Sequence, residues 1–392
     1  MKFTDEALDV LHQCIVDGRF TASPIHHDNY RRVWSRDSVL AGLSTVIRGD
    51  EKGLNALRES VLHLGRHQSE VGQIPSNVSL DEQSVSYGSL VGRVDATTWW
   101  IIGACWVMDH FPEEKLQLCP KIEKAFHLLE CWEMNGRGLI YTPVGGNWAD
   151  EYISQGYVLY DQCLRLWALR AYGHFSQEKK YSDRAESLTH QLKANFSFSQ
   201  KEENNLYHPV AYERAWEALP YWAMSLGAQG YDKRWDMAAN ALVLLLGLEE
   251  NPEKMEKFLL NLIYNQSMEM LPVFYPIIQE ADPEWYFLNN NFLYQFKNKP
   301  HHFHNGGSWP VFIGLMCLGF SSQNRTFILE KISAQVESKM NSVSSDIRFS
   351  EYWNTRTFEP GGVPKLAFSA SGYLMINEAF SSNQSLKTKL KC

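Results

Sequence analysis

Several features that would assign a chain of this length to a common class are missing. The 392 residues hold no G-x-G-x-x-G and no G-x-x-x-x-G-K-[ST] loop, so neither of the usual backbone cradles for dinucleotides or nucleoside triphosphates is expected. There is no C-x-x-C pair. The seven cysteines (14, 105, 119, 131, 163, 317 and 392) are odd in number and scattered, which argues against a disulfide framework and for reduced thiols in an apolar core. Basic residues are in deficit: 37 Lys and Arg against 45 Asp and Glu give a net charge of −8, which disfavours nucleic acid and other polyanions as partners. Apolar runs are short as well. The longest, 97–108 and 241–248, stop well below the ~20 residues that span a bilayer. The first sixteen residues carry Asp5, Glu6 and Asp9 in place of the basic-then-apolar start of a secretory leader. A cytoplasmic protein with no membrane partner is expected. No Pro-, Gly- or Ser-rich linker divides the chain, so residues 1–392 read as one domain.

Strand-like alternation is scarce, whereas helical periodicity runs throughout. The spacing predicts helices over 37–48, 52–67, 95–110, 120–133, 157–175, 181–195, 216–227, 235–247, 252–264, 309–320, 325–341 and 367–380. Leu54, Leu57, Val61 and Leu64 show the i, i+3, i+4 recurrence of a single buried face. The helices are of two kinds. Those at 52–67, 121–133, 181–195 and 325–341 have charged outer faces, while 95–107, 157–172 and 309–320 are apolar nearly all round and must be buried. The two kinds alternate with about 55–70 residues per pair, which points to an all-α toroid of about six helical hairpins, an (α/α)6 architecture. Polar and Gly-rich motifs fall where inner helices start, at 33–38, 92–98, 145–155, 301–310 and 349–364. They are expected to meet over a central pit.

Two of these motifs place a carboxylate among aromatic residues. One is N-W-A-D-E-Y at 147–152, with Trp148 beside Asp150; the other is F-S-E-Y-W-N at 349–354, with Trp353 beside Glu351. Either could be a helix cap or a loop carboxylate paired with an arginine. Facing each other across a pit, they are what glycoside hydrolysis needs: one carboxyl protonates the leaving oxygen, the other activates water, with roughly 6.5–9.5 Å between them for inversion. Aromatic neighbours would raise the pKa of the acid. In R-R-V-W-S-R-D-S at 31–38, Asp37 could simply cap a helix. Equally, Arg36 and Asp37 could grip sugar hydroxyls while Trp34 stacks on the ring. The run H-H-F-H-N-G-G-S-W-P at 301–310 holds three histidines in four residues, but it has no H-E-x-x-H spacing, and His301, His302 and His304 cannot all converge from one extended loop. No metal is expected. The abundance of 13 Trp, 18 Tyr and 20 Phe suits a large core or sugar stacking.

These motifs carry a resemblance. W-S-R-D-S at 34–38 resembles a stretch of the glucoamylases and bacterial debranching-type glucosidases whose Arg-Asp pair holds the non-reducing-end glucose. H-N-G-G-S-W-P-V at 304–311 and V-D-A-T-T-W-W-I-I at 94–102 are similar to blocks of the neutral/alkaline invertases. So are E-Y-W-N at 351 and S-A-S-G-Y-L at 369–374, and N-W-A-D-E-Y followed by G-Y-V-L-Y-D-Q resembles their W-M-D-R-R with G-Y-P-L-E-I-Q. The order holds over residues 30 to 380. By this resemblance Asp150 is the general acid and Glu351 the base of an (α/α)6 glycoside hydrolase.

The sequence departs from the invertases at Glu151-Tyr152, where they carry paired arginines, and matches them poorly over 207–291, which would line the leaving-group side. The expected function is an inverting exo-glycosidase that frees terminal glucose from a small α-glucoside, sucrose foremost, with no cofactor and with a homo-oligomer left open. Its substrate contacts are expected from Trp34, Arg36, Asp37, Asp95, Trp148, Tyr157, Gln162, His304, Asn305, Trp309 and Trp353. Arg214 and Arg356 are the cations that a carboxylate-bearing leaving group would need. The alternatives are a glucosylglycerate- or mannosylglycerate-type hydrolase, an amylo-1,6-glucosidase type, an N-acyl-sugar 2-epimerase-like isomerase using His304, and a sugar-binding pseudo-enzyme.

Overall fold

The apolar periodicity resolves into two concentric sets of helices. In the computed structural model, which describes residues 1–198, 205–265, 268–380 and 384–392, the helices are α1 (Thr4–Gln13), α2 (Ser35–Arg48), α3 (Glu51–Arg66), α4 (Val94–His110), α5 (Lys115–Cys131), α6 (Leu159–Ser176), α7 (Lys179–Phe196), α8 (Pro209–Ala215), α9 (Met237–Leu245), α10 (Pro252–Asn265), α11 (Trp285–Asn289), α12 (Pro310–Ser322), α13 (Thr326–Asn341), α14 (Ala367–Glu378) and α15 (Gln384–Leu390). Helices α2, α4, α6, α9, α12 and α14 each pack on the next, and α14 packs back on α2. The inner ring is closed. Helices α1, α3, α5, α7 and α13 lie against its outside, and α10 turns Met255, Leu259 and Leu262 inward. This is the expected (α/α)6 toroid.

Sequence composition accounts for the two layers. Every residue of α4 from Val94 to Met108 is buried, as is α12 from Pro310 to Ser321, because these helices touch neighbours on all sides. By contrast α3 buries one stripe, with Ala56, Leu57, Val61 and Leu64 inside and Glu51, Lys52 and Glu59 in solvent. Close inner packing uses glycine: a Cβ at Gly314 or Gly372 would strike the backbone of the other helix of the α12–α14 pair. Cys14, Cys105, Cys163 and Cys317 are buried, and all seven thiols are free. Among the described residues no helix is long and apolar enough to cross a membrane.

Among the described residues the periodicity misplaced one helix and overlooked four, the outer α1 and the short α8, α11 and α15. The stretch 216–227 is not helical. Pro220 lacks an N–H and its ring would clash with a preceding turn; the chain instead runs extended, with Trp222 N–H bonded to Asn240 Oδ1 and Ala223 N–H to the Phe196 carbonyl. The missing outer helix is α1, whose Ala7, Val10 and Leu11 bury the face that packs on α14. Helix α5 begins before Pro120 rather than at it.

The six inner helices are entered in the same way. Each is preceded by a residue in extended conformation: Trp34, Arg93, Val158, Asp236, Trp309 and Leu366. The chain at each start donates a backbone hydrogen bond to the loop leading into the next inner helix: Ser35 to Ser76, Val94 to Gly146, Leu159 to Met224, Met237 to Val273 and Ser308 to Trp353. The circle closes with Ala367 bonded to the Ala22 carbonyl. All six inner N-termini therefore open on one mouth, where their unsatisfied N–H groups and dipoles favour negative charge.

Candidate active site

Helix starts at this mouth supply a buried ion cluster. Asp37 lies in the first turn of α2 and Asp95 in the first turn of α4. Between them Arg36 reaches both carboxylates, at 3.5 Å to Asp37 Oδ2 and 3.3 Å to Asp95 Oδ2. Burial pushes both aspartates above the usual carboxylate range, and Arg36 only partly offsets it. Asp37 Oδ2 and Asp95 Oδ1 are buried yet accept no hydrogen bond. A buried carboxylate oxygen without a donor is costly, and a sugar hydroxyl is a donor of the right kind.

Glu351 stands on the loop before α14. Its Oε2 accepts 2.8 Å and 3.3 Å hydrogen bonds from the Tyr30 hydroxyl and the Val363 N–H. Burial raises its pKa to about 7, against the pull of Tyr30, Lys297 and Val363. Gly362 makes room for this carboxylate: its φ is +71°, and a Cβ there would collide with Glu351 Oε2. Asp150 is on the loop before α6, with its side chain 39% exposed, and Arg93 Nη2 holds its Oδ2 at 2.5 Å. Arg93 also bonds the Gly145 carbonyl, so this one buried guanidinium pins both ends of the Asp150 loop. The charges of Glu351, Asp37 and Asp150 all bear on the Tyr30 hydroxyl and raise its pKa, after burial.

An aromatic cluster packs around His304. The Trp148 indole stacks on Phe274 at 5.5 Å and meets Trp309 and His304 edge-on. Trp309 in turn stacks on His304 and Tyr352. Burial holds His304 well below the ordinary histidine range, so the ring is neutral, and its Nδ1 has no partner. The three histidines do not converge. His301 Nδ1 pairs with Thr355 Oγ1 and His302 Nε2 with Asn354. Among the described residues no three His, Cys, Asp or Glu side chains gather as a metal set.

Four expected substrate contacts are engaged elsewhere. Gln162 is buried and spends its amide on the N–H and carbonyl of Ile140. Asn305 does the same with Ile278. Trp353 is fully buried and stacks on Phe358 at 4.3 Å. Tyr157 contacts Asn135, Tyr141 and Tyr207. Polar residues beside a motif can pin backbone as readily as bind ligand, and the buried amides needed partners. Trp34 stays half-buried, its Nε1 donating to the Asn29 carbonyl. Arg356 lines a cavity of about 360 Å3 with Gln279, Pro300, His301, Asn354 and Thr357, and Arg214 lies on α8. The sequence reading passed over Tyr30, Arg93, Lys297 and Gly362. Arg93 directly precedes the V-D-A-T-T-W-W block and Gly362 follows the Glu351 motif, so proximity was the available signal.

A closed ring of six inner helices with acidic loops at a single mouth defines an (α/α)6 toroid of the glycosidase class. Solved structures share the fold. Mannosylglycerate hydrolase from Thermus thermophilus, in complex with Tris and D-glycerate, is 13% identical with a TM-score of 0.66, covering 95% of this chain and 99% of that one. A rhamnosidase from Klebsiella oxytoca with rhamnose bound is 13% identical at a TM-score of 0.62, over 96% of this chain and 63% of that chain. A bacterial glucoamylase complexed with acarbose is 15% identical at 0.60, over 95% and 53%. No curated protein matches. The family model for alkaline and neutral invertase matches residues 176–378, about half of the sequence. The chain belongs to that family and is a glycoside hydrolase.

Proposed function

We propose that the protein is an inverting exo-glycosidase that releases terminal glucose from a small α-glucoside, with Asp150 as general acid and Glu351 as general base. The observation that carries the reading is that Asp150 and the buried Glu351 stand on loops entering different inner helices at the same mouth, the first held by Arg93 and the second by the Tyr30 hydroxyl. A base near pKa 7 suits water activation at neutral pH. To protonate a leaving oxygen, the Asp150 carboxyl must be neutral and turned toward substrate, so bound sugar has to replace its contact with Arg93. Arg36, Asp37 and Asp95 form the glucose subsite, where the two unpartnered oxygens accept hydroxyl donors, and Trp34 supplies the half-exposed ring. No cofactor enters these steps. The free thiols suit a reducing compartment, and we place the activity in the cytoplasm.

Sucrose is the leading substrate through the family match. A charged leaving group such as glycerate is the second reading, favoured by Lys297: it is exposed, its charge bears on Glu351, and it makes no ion pair among the described residues. An epimerase-like reaction needs a stronger base than the buried, neutral His304. Incubation with sucrose, maltose, isomaltose, trehalose and glucosylglycerate, with proton NMR of the first-formed anomer, tests the proposal. Free β-glucose from one of them is the expected result; retained α-glucose or no release from any overturns it.

A further inference from the structure

We infer that residues 291–298 form the leaving-group wall of the site, that Phe292 and Tyr294 on it select a ring-shaped leaving group, and that Asn291 and Asn298 are the positioning residues that anchor it. The inference rests on the hydrolase reading above. The segment is tied to the two residues that follow Asp150. Asn291 Nδ2 donates to the Tyr152 carbonyl at 2.9 Å, and Asn298 Nδ2 to the Glu151 carbonyl at 2.7 Å. Asn291 and Asn298 are thus the two anchors that fix the segment to the chain just after Asp150. At its far end the segment is fastened to the loop entering α12. Asn298, fully buried, accepts from the Asn305 N–H at 3.1 Å through Oδ1 and from Asn305 Nδ2 at 3.2 Å through its carbonyl. Asn298 thus bridges the loop of Asp150 and the loop of His304.

What the segment presents between its anchors is unusual for a solvated loop. Phe292, Leu293 and Tyr294 are 43%, 48% and 89% exposed, although burying such side chains stabilises a fold by about 1.5–3 kcal/mol each. Lys297, on the same segment, sets its ammonium 5.0 Å from the centre of the Phe303 ring, which stacks on His304, so this stretch borders the pit. Exposed aromatic rings held against the loop of the general acid are suited to stack on the apolar face of a departing sugar ring. An open-chain leaving group offers no such face.

The test compares three substrates that share the glucose unit: sucrose or maltose, glucosylglycerol, and α-glucosyl fluoride, whose leaving group reaches no wall. In the Phe292→Ala/Tyr294→Ala double variant, kcat/KM for the disaccharide falls about tenfold, the loss of aromatic stacking, while glucosylglycerol and the fluoride stay within about twofold. Asn291→Ala gives the same disaccharide-selective loss, and Asn291→Gln, which keeps the amide donor, restores part of it. An unchanged ratio of disaccharide to glucosylglycerol in these variants overturns the inference. So does an equal fall on both, which marks a displaced Asp150 or a general loss of structure. A wild type that releases glucose from none of the three overturns the hydrolase reading itself, and this inference with it.

Discussion

The Tyr30 hydroxyl donates a 2.8 Å hydrogen bond to Glu351 Oε2 across 321 residues of chain. The phenol favours the charged form of a carboxylate that burial otherwise pushes up to about 7. Removing it as Tyr30→Phe raises the Glu351 pKa further. A base must be ionised, so activity climbs as pH rises through that pKa. The acid limb of the kcat/KM profile therefore moves up in the variant, by about one pH unit for a charge-assisted bond. The profile measured from pH 5 to 9 checks this, and an unmoved limb contradicts the pairing of these groups in catalysis.

Stability at the same carboxylate runs the other way. Its folded pKa of about 7 lies above the unfolded value of 4.5. Its contribution is therefore fully present below pH 4.5 and is lost as pH rises through 7. Glu351→Gln removes the charge that burial opposes. The variant is inactive but melts higher than the wild type at pH 8, by up to about 3 kcal/mol of stability, and the gap closes near pH 4. Paired melting curves at the two pH values are the measurement; a variant destabilised equally at both contradicts the electrostatic account.

Asp37 Oδ2 accepts no hydrogen bond and lies at ion-pair distance, 3.5 Å, from Arg36. Were this a fold-holding ion pair, Asp37→Asn would unfold the protein and leave residual activity normal. As a substrate contact, the substitution costs about 1.5–3 kcal/mol of binding to the reacting sugar. Turnover then falls by roughly ten- to a hundredfold with the melting temperature nearly unchanged, since burial already opposes the Asp37 charge.

The ring was legible because it depends on periodicity. Helices such as α4 and α12, buried on every side, and α3, buried on one, differ in pattern before they differ in space. The two carboxylates proposed as acid and base were picked out through their aromatic neighbours. Their partners were not, because Tyr30 meets Glu351 and Arg93 meets Asp150 only once the ring closes. Gln162 and Asn305 show the converse. Each sits in a motif beside the site, but each is drawn to a backbone N–H and carbonyl that had no other partner. Helix α1 was readable from Ala7, Val10 and Leu11, whereas rejecting 216–227 required giving Pro220 more weight than the apolar spacing around it.

Gly362 offers a way to displace Glu351 without changing it. The residue has φ +71°, which costs a side chain about 1–2 kcal/mol, and a Cβ at this point would run into Glu351 Oε2 and its own Cβ. Neither can yield easily. Glu351 is held by Tyr30 and the Val363 N–H, and its backbone N–H bonds the Val363 carbonyl across the short Tyr352–Trp353 and Pro360–Gly361 ladder. In Gly362→Ala the carboxylate therefore shifts within its pocket while remaining chemically intact. Misplacement of a reacting group by about 1 Å costs on the order of a hundredfold, so kcat falls by about that factor with KM little altered, since the proposed glucose subsite lies on α2 and α4. Destabilisation stays near the backbone strain alone. A Gly362→Ala enzyme with wild-type kcat would mean that Glu351 Oε2 is not the atom that activates water.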